Sequence, residues 1–515
     1  MAKTFLNKKN NAKSTITDNP LTSGSTILNV QTGDGAKFPN APFHATLYSS
    51  DPSNGEIVKI TAKSTDQLTI ERAKENTTAQ EWAQGTKLEL LITAQLLNDF
   101  QTRTEIVVAT DGSGDYNCDG TSDEDEINEA ISNLPSSGGI VRLKQGTYTI
   151  DGIIEILKNG VTLEGEGPAT VIKAGNASEL NRLISIGNGG TTAYSDICIR
   201  KLKVDGNRDN QTSGNSSPIV IWGASGYEHK RITVENCWLT GAYLDCLKIL
   251  ESQECIIKGN HFYNNTGTAI FNSHENNTII GNVSYGNGYF YYGSACNYTT
   301  ITGNVSMGDS YGIYISSGWR DVVSGNIIDS FANYGISLFG SQRVSVNGNH
   351  VYGGAYGILI GNSSSITRYI SIVGNTLAWQ STRAIAIYAG SGGCVINTVN
   401  GNAIYGSGQE AIYIYRSSYN TITGNAIDGA GRSSTNSYDS IVLTDDGATY
   451  STYNLISSNN IQAQQSSKAR YHVRENSASD DYNLVIGNIC KDGVSGQISL
   501  QGSNSVRGTN IPSSG

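Results

Sequence analysis

The chain has 515 residues, 59 of them glycine and only 8 proline, with 37% hydrophobic residues and a formal net charge of −10. That charge, without any run of Lys or Arg, argues against nucleic acid as a partner, and no apolar stretch is long enough to cross a membrane as a helix. The eight cysteines (118, 198, 237, 246, 255, 296, 394, 490) form no Cys-x-x-Cys pair, so they are expected as reduced, buried thiols, with no metal and no cofactor.

The first residues, MAKTFLNKKNNAKST, are basic but lack the apolar core of a secretory leader. Residues 1–103 read as a small β-rich head. STILNVQTGDGAKFP, FHATLYS, EIVKITAKSTDQLTIERAKENTTA and GTKLELLITAQLLNDFQT read as short strands between Gly, Asp and Asn turns. The stretch from Thr93 to Thr102 reads as a short helix or neck. A helix is expected next: Thr121 and Glu124 have capping-box spacing, and acidic residues fill the first turn. Ile127, Ala130, Ile131 and Leu134 make an apolar stripe that Pro135 ends. A one-sided helix is suited to cover the open end of a stack of strands.

From about Thr147 to about Gly502 the chain repeats. A Gly-Asn pair closes a short apolar run at Asn260, Asn282, Asn304, Asn326, Asn349, Asn375, Asn402 and Asn425, at intervals of 22, 22, 22, 23, 26, 27 and 23 residues. A period in this range signals a solenoid. Within each repeat apolar residues alternate with period 2, so the repeat is made of strands, and the class is all-β, a parallel β-helix. Gly and Asn at every corner suit left-handed backbone, and equivalent Asn side chains can hydrogen-bond along the axis. One strand aligns through its inward pairs Leu247/Ile249, Ile313/Ile315, Ile336/Leu338, Ile358/Ile360, Ile385/Ile387, Ile412/Ile414 and Ile441/Leu443. Between them Lys248, Tyr314, Ser337, Leu359, Ala386, Tyr413 and Val442 face outward. Beyond Asn425 the motif weakens: LTDDGATYSTYN reads as a loop, the rungs near NLVIGN as irregular, and residues 503–515 as a flexible tail.

The head sequence IERAKENTTAQEWAQGT resembles a small β-rich domain near the start of phage virion proteins. The block VVATDGSGDYNCDGTSDEDEINEAISNLPSSGGIVRLKQGTYTIDG resembles the N-terminal part of the pectate-lyase superfamily, shared by phage tailspikes and mannuronan epimerases, and the likeness runs over roughly residues 107–460. It implies a right-handed parallel β-helix over 104–502 with an N-terminal capping helix, and a homotrimer attached to a phage virion through the head. Such a protein is made in the host cytoplasm, sits on the virion tail and acts on polysaccharide at the host surface. Exposed Leu359, Val442 and tyrosines would supply the intersubunit surface, with the neck around Leu96–Phe100 setting the register. LKVDGNRDNQTSGN and RITVENCWLTGAYLDCL resemble the epimerases' first active-site rungs, but of the matching positions Asn215, Ser217, Ala242, Asp245 and Leu247 only Asp245 agrees. The resemblance therefore implies fold and groove position, not uronate epimerisation or elimination. Asp205–Asp209 reads as a structural turn or corner, with metal binding the lesser alternative.

Three acidic patches could carry chemistry. Asp245, Lys248 and Glu251 lie along one strand, with His274 and Glu275 on the next rung and Tyr243 and Phe271 beside them. Rungs are about 4.8 Å apart, so two of these carboxylates could act as acid and nucleophile, or as acid and base around a water. Further along, Arg383, Glu410, Arg416, Asp439, Asp445 and Asp446 form a second patch, with Glu410 and Asp439 in one column. Asp309 and Asp329 are a third. A column two residues before the inward pairs reads Asp245, Thr268, Tyr311, Tyr334, Tyr356, Arg383, Glu410, Asp439. Its tyrosines, with Tyr314, could stack on sugar rings. The expected function is a glycoside hydrolase that depolymerises a host glycan, against a non-catalytic glycan-binding fibre and, less favoured, a uronate lyase or epimerase.

Overall fold

A computed structural model describes Lys9 and residues 12–93, 104–212, 217–463 and 468–512. The proposed neck at Leu96–Phe100 and Asn215 lie outside these residues. The chain divides into two compact units, 1–103 and 104–515.

The first unit is a six-stranded sheet whose described pairings are antiparallel, built on Phe43–Tyr48, Glu56–Ser64 and Gln67–Lys74. Its core is made of alternating residues such as Leu28, Phe43, Leu47, Val58, Ile60 and Leu68. One charge is buried within it. Glu56 accepts hydrogen bonds from Arg72 Nε at 2.7 Å, Arg72 Nη2 at 2.6 Å, Trp82 Nε1 at 2.9 Å and the Ala73 amide at 3.0 Å. Breaking a buried pair from one side strands the other charge, which costs about 3–5 kcal/mol. Arg72→Met, which leaves the Glu56 carboxylate without its counter-ion, is therefore expected to abolish or sharply lower the melting transition of this unit. Calorimetry of the full chain, with the β-helix transition as internal reference, checks it.

The second unit is built from three parallel sheets. Each coil contributes one strand to each, as in Ile256–Lys258 (sheet A), His261–Tyr263 (sheet B) and Thr268–Asn272 (sheet C), before Thr278–Ile280 returns to sheet A. The expected inward pairs are all buried, among them Ile313, Ile315, Ile385 and Ile387. At the A-to-B corner the asparagines, most of them preceded by Gly, form a continuous side-chain ladder from Asn260 to Asn510. In each step the Oδ1 of one Asn accepts the backbone N–H and the Nδ2 of the Asn one coil before. Asn326, for example, accepts from Asn304 at 3.0 and 2.9 Å and donates to Ile301 O at 3.0 Å and Asn349 Oδ1 at 2.9 Å. Every polar atom of these buried amides is thereby used.

The ladder corrects the sequence reading at the C-terminal end. The rungs near NLVIGN are regular, with Asn488 in line. Residues 504–512 of the expected tail are paired, since Val506–Arg507 and Ile511–Pro512 add the last strands, and 513–515 lie outside the described residues. At the B-to-C corner a shorter ladder runs from Asn265 through Asn287 to Asp309. The buried Asp309 accepts both Asn287 donors on Oδ1 and the Ser306 hydroxyl on Oδ2. Asp309 is therefore a ladder terminus, and it leaves the acidic candidates.

A single α-helix among the described residues, α1 (Glu124–Asn133), lies against the first coil and buries Ile127, Ala130, Ile131 and Leu134 as expected. The capping box does not form. The helix begins after Asp123, whose carboxylate accepts the Gly120 and Thr149 amides, while Glu124 accepts the Asp151 amide. The first-turn acids thus tie the helix to the first coil instead of to its own amides. The cysteines are free thiols, nearly all buried, and burial raises Cys237 to about 12.

Candidate functional site

The outer face of sheet C carries the residues singled out from sequence. In-register pairing sets them in three columns. One edge reads Asp245, Thr268, Tyr289, Tyr311, Tyr334, Tyr356, Arg383, Glu410, Asp439, and the centre includes Lys248, Phe271, Tyr292, Tyr314, Leu359, Ala386 and Tyr413. Phe339, Tyr388 and Tyr415 stand on the far edge. Leu359 and Val442 point outward but are 4% and 5% exposed, covered by neighbouring side chains. They give no apolar contact surface, which removes the reason for placing a subunit interface there.

The tyrosines are packed on one another. Tyr289 and Tyr311 stack with ring centroids 4.3 Å apart, Tyr292 and Tyr314 at 4.7 Å, and Phe271 and Tyr292 at 5.6 Å. Tyr334 meets Tyr311 and Tyr356 edge-on. Stacked rings spend their faces on each other, so the expectation that they lie against sugar rings needs revising. What remains available is ring edges and phenolic hydroxyls. Burial raises Tyr289 to about 12 and raises Tyr314 and Tyr334 as well, so these phenols stay protonated and can donate at neutral pH. Tyr289 and Tyr292 were missed in the sequence because YFYYGS replaces the Ile-x-Ile signature with the buried Tyr291 and Gly293. Counting 22 residues back from Tyr311 and Tyr314 finds them.

The first acidic cluster separates into two. Asp245 sits at one edge of the sheet and pairs with Lys248 at 3.4 Å. Glu251 is six residues further on, in left-handed backbone just past the strand Leu247–Leu250, roughly 15–20 Å away at strand rise, beyond the separation that acid and nucleophile require. Glu251 instead meets His274, Nδ1 to Oε2 3.7 Å, and Glu228 joins them, one ligand atom from each lying within 4.8 Å of the others. Glu275 is half-buried on the same loop as His274, at that far edge and away from Asp245. Tyr243 is exposed on the loop before Asp245.

The second patch also divides across the sheet, with Arg383, Glu410 and Asp439 at one edge and Arg416, Asp445 and Asp446 past the other. Glu410 and Asp439 are neighbours in one column, both buried. Arg383 Nε donates to Glu410 at 2.8 Å while its guanidinium lies 3.7 Å from the Tyr413 ring centre. Asp439 accepts Arg470 Nε at 3.0 Å and Nη2 at 2.7 Å, and the Tyr471 amide at 3.1 Å. Arg416 pairs with Asp446 at 3.1 Å. The Asp205–Asp209 segment forms a corner, where Asp205 accepts the Asn207 amide and Asn207 donates to Ala174 O.

Comparison with known proteins agrees with this architecture. The family described as right handed beta helix region matches residues 217–393. The chain is a right-handed parallel β-helix. A second family, described as periplasmic copper-binding protein (NosD), matches 331–495. Copper needs clustered His, Cys or Met ligands. Among the described residues of that stretch no three His, Cys, Asp or Glu ligand atoms converge, and His472 is held by Ser440 and Lys491 O. The residues do not fit copper. No curated protein matches the sequence. Among solved structures, the A-module of a mannuronan C-5 epimerase from Azotobacter vinelandii is 18% identical, over 81% of this chain and 99% of that one, with a TM-score of 0.42. The ORF18 protein of Geobacillus virus E2 is 16% identical over 74% and 70%, at 0.39. The DFA-IIIase of Arthrobacter chlorophenolicus A6, solved in complex with GF2, is 13% identical over 68% and 93%, at 0.45. Likenesses this distant bear on no residue's role.

Proposed function

We propose that this β-helix is a phage-tail-type protein that binds a host surface polysaccharide along the outer face of sheet C. The observation that carries this is the unbroken run of tyrosines Tyr289, Tyr311, Tyr334 and Tyr356, a row of hydroxyls at coil spacing that suits the hydroxyls of an extended glycan. Hydrogen bonds of this kind contribute about 0.5–1.5 kcal/mol each. Replacing Tyr311 and Tyr334 together by Phe is therefore expected to weaken binding about tenfold without unfolding the coil. Calorimetric titration with host exopolysaccharide measures it, and unchanged affinity would remove the reading.

A second reading, hydrolysis of that glycan, rests on Glu410 and Asp439, the two carboxylates on adjacent coils of one column. Loss of a catalytic carboxylate lowers rate by about 10²-fold or more, so Glu410→Gln should abolish any release of new reducing ends. Asp245→Asn, at the other end of the face, should leave it intact. Appearance of an unsaturated, ultraviolet-absorbing product would instead restore the lyase.

Trimerisation and virion attachment through the head belong to the same proposal. The apolar outer face of sheet B, with exposed Tyr285, Met307, Ile327 and Tyr352, takes the place of Leu359 and Val442 as its contact surface. Light scattering should give three times the chain mass of 54.8 kDa, and a single-chain mass refutes it.

A further inference from the structure

The C-to-A corner departs from the other two. At the A-to-B corner the left-handed position is glycine on coil after coil, for example Gly303, Gly325 and Gly348 with φ of 62 to 63°. At the C-to-A corner the same conformation is held by bulky residues on successive coils: Tyr298, Arg320, Arg343 and Tyr369, with φ of 52 to 60°. Left-handed backbone costs a residue with a Cβ roughly 1–2 kcal/mol that glycine is spared. These side chains are exposed. Exposed Arg and Tyr therefore occupy positions that glycine would fill at lower cost, and their retention calls for a role that glycine cannot perform.

Beside this column runs a second, Trp319, Gln342 and Arg368, bridged from coil to coil. The two interleave cations with aromatic rings. Arg320 lies 4.0 Å from the Trp319 ring centre and 5.6 Å from that of Tyr298. Arg343 lies 5.6 Å from Trp319 and 5.7 Å from Tyr369, and Arg368 lies 5.4 Å from Tyr369. Their recorded polar partners are neutral: Arg320 Nη1 donates to the Tyr298 hydroxyl at 3.2 Å, and Arg368 Nε to Gln342 Oε1 at 3.1 Å. Among the described residues no carboxylate pairs with any of the three, whereas Arg383, Arg416 and Arg470 each hold one. The carboxylate nearest in sequence, Asp321, is buried and accepts the Thr299 amide. Three unneutralised guanidiniums thus line one ridge of a chain whose net charge is −10.

We propose that this ridge is a second binding site, separate from the face of sheet C, for an anionic polysaccharide whose acidic groups meet Arg320, Arg343 and Arg368 on successive coils. Coils advance about 4.8 Å, close to the advance of one sugar unit in an extended glycan. Guanidinium groups recognise carboxylate and sulfate through paired N–H donors, and stacking on Trp319 and Tyr369 holds them splayed toward solvent. Three cations at coil spacing match a glycan with one acidic group per unit or two.

The test is titration of the full chain at low salt with polygalacturonate oligomers, dextran sulfate, neutral dextran and single-stranded oligothymidylate, comparing wild type with R320Q/R343Q/R368Q. The expected result is binding of an acidic glycan but not of dextran, weakened by added salt, and a tenfold or greater loss in the triple variant with an unchanged melting temperature. Which acidic glycan binds better tells carboxylate from sulfate. Tyr311→Phe/Tyr334→Phe should leave this binding intact, which separates it from the reading of sheet C. The proposal is overturned if neither acidic glycan binds, if dextran or oligothymidylate binds as well, or if the triple variant loses less than tenfold. Should the triple variant be unstable, R343Q alone is used, with a threefold loss as the threshold.

Discussion

Asn326→Leu is expected to unfold the β-helix. The substitution removes an amide that accepts two hydrogen bonds from Asn304 and donates to Ile301 O and Asn349, all in buried surroundings. Each buried group left without a partner costs about 1–3 kcal/mol. Three or four stranded groups therefore cost about 3–12 kcal/mol, a large part of what holds an ordinary domain together. The two side chains share heavy-atom count and branching, so the change is mainly one of polarity. Expression, solubility and thermal melting would reveal the loss. A variant that melts within a degree of wild type would mean that the ladder is incidental.

The opposite sign is expected at Asp321→Asn. Asp321 stands in the corner column that Asn277, Asn397, Asn420, Asn454 and Asn483 occupy on other coils, and burial raises its carboxyl to about 7. Asp480 is likewise raised to about 7, first by burial and further by Asp445 and Glu475, and its Oδ2 has no hydrogen-bond partner. A raised carboxyl keeps its proton in the folded state while the unfolded chain has already ionised. Stability is therefore full below about pH 4 and falls until the folded group ionises near pH 7. At about 1.4 kcal/mol per unit, each group removes up to ~4 kcal/mol by neutral pH. Asp321→Asn supplies an oxygen for the Thr299 amide and no charge. It should raise the melting temperature by several degrees at pH 8, do little at pH 4, and flatten the decline between. Melts across this range decide it, and an unchanged pH slope would remove Asp321 as a cause.

The fold was legible because the ladder has a sequence signature. Only Asn offers an acceptor and two donors at this spacing beside a glycine in left-handed backbone, so the Gly-Asn period reports the hydrogen-bonded corner directly. The site was less legible. The outward column was found because register carries position from coil to coil, but whether an outward residue is accessible depends on neighbours two columns away, and Leu359 and Val442 are covered. Asp245 and Glu251 looked adjacent in sequence, yet strand rise sets them at opposite edges. Glu410 and Asp439 were correctly placed in one column, while their arginines came partly from Arg470 on the following coil, which no local pattern announces. The C-to-A ridge is not legible in the sequence, because bulky residues at a left-handed corner carry no composition signal.

The Asn ladder bears on how such a chain can change length over evolution. Asn282, Asn304 and Asn326 present the same donors below and the same acceptor above. A 22-residue unit cut from this run, or copied into it, leaves every junction chemically identical to the one it replaces. Spacing between the two ends of the β-helix can therefore be adjusted in whole coils, by duplication or deletion of gene segments, without designing a new interface at the join.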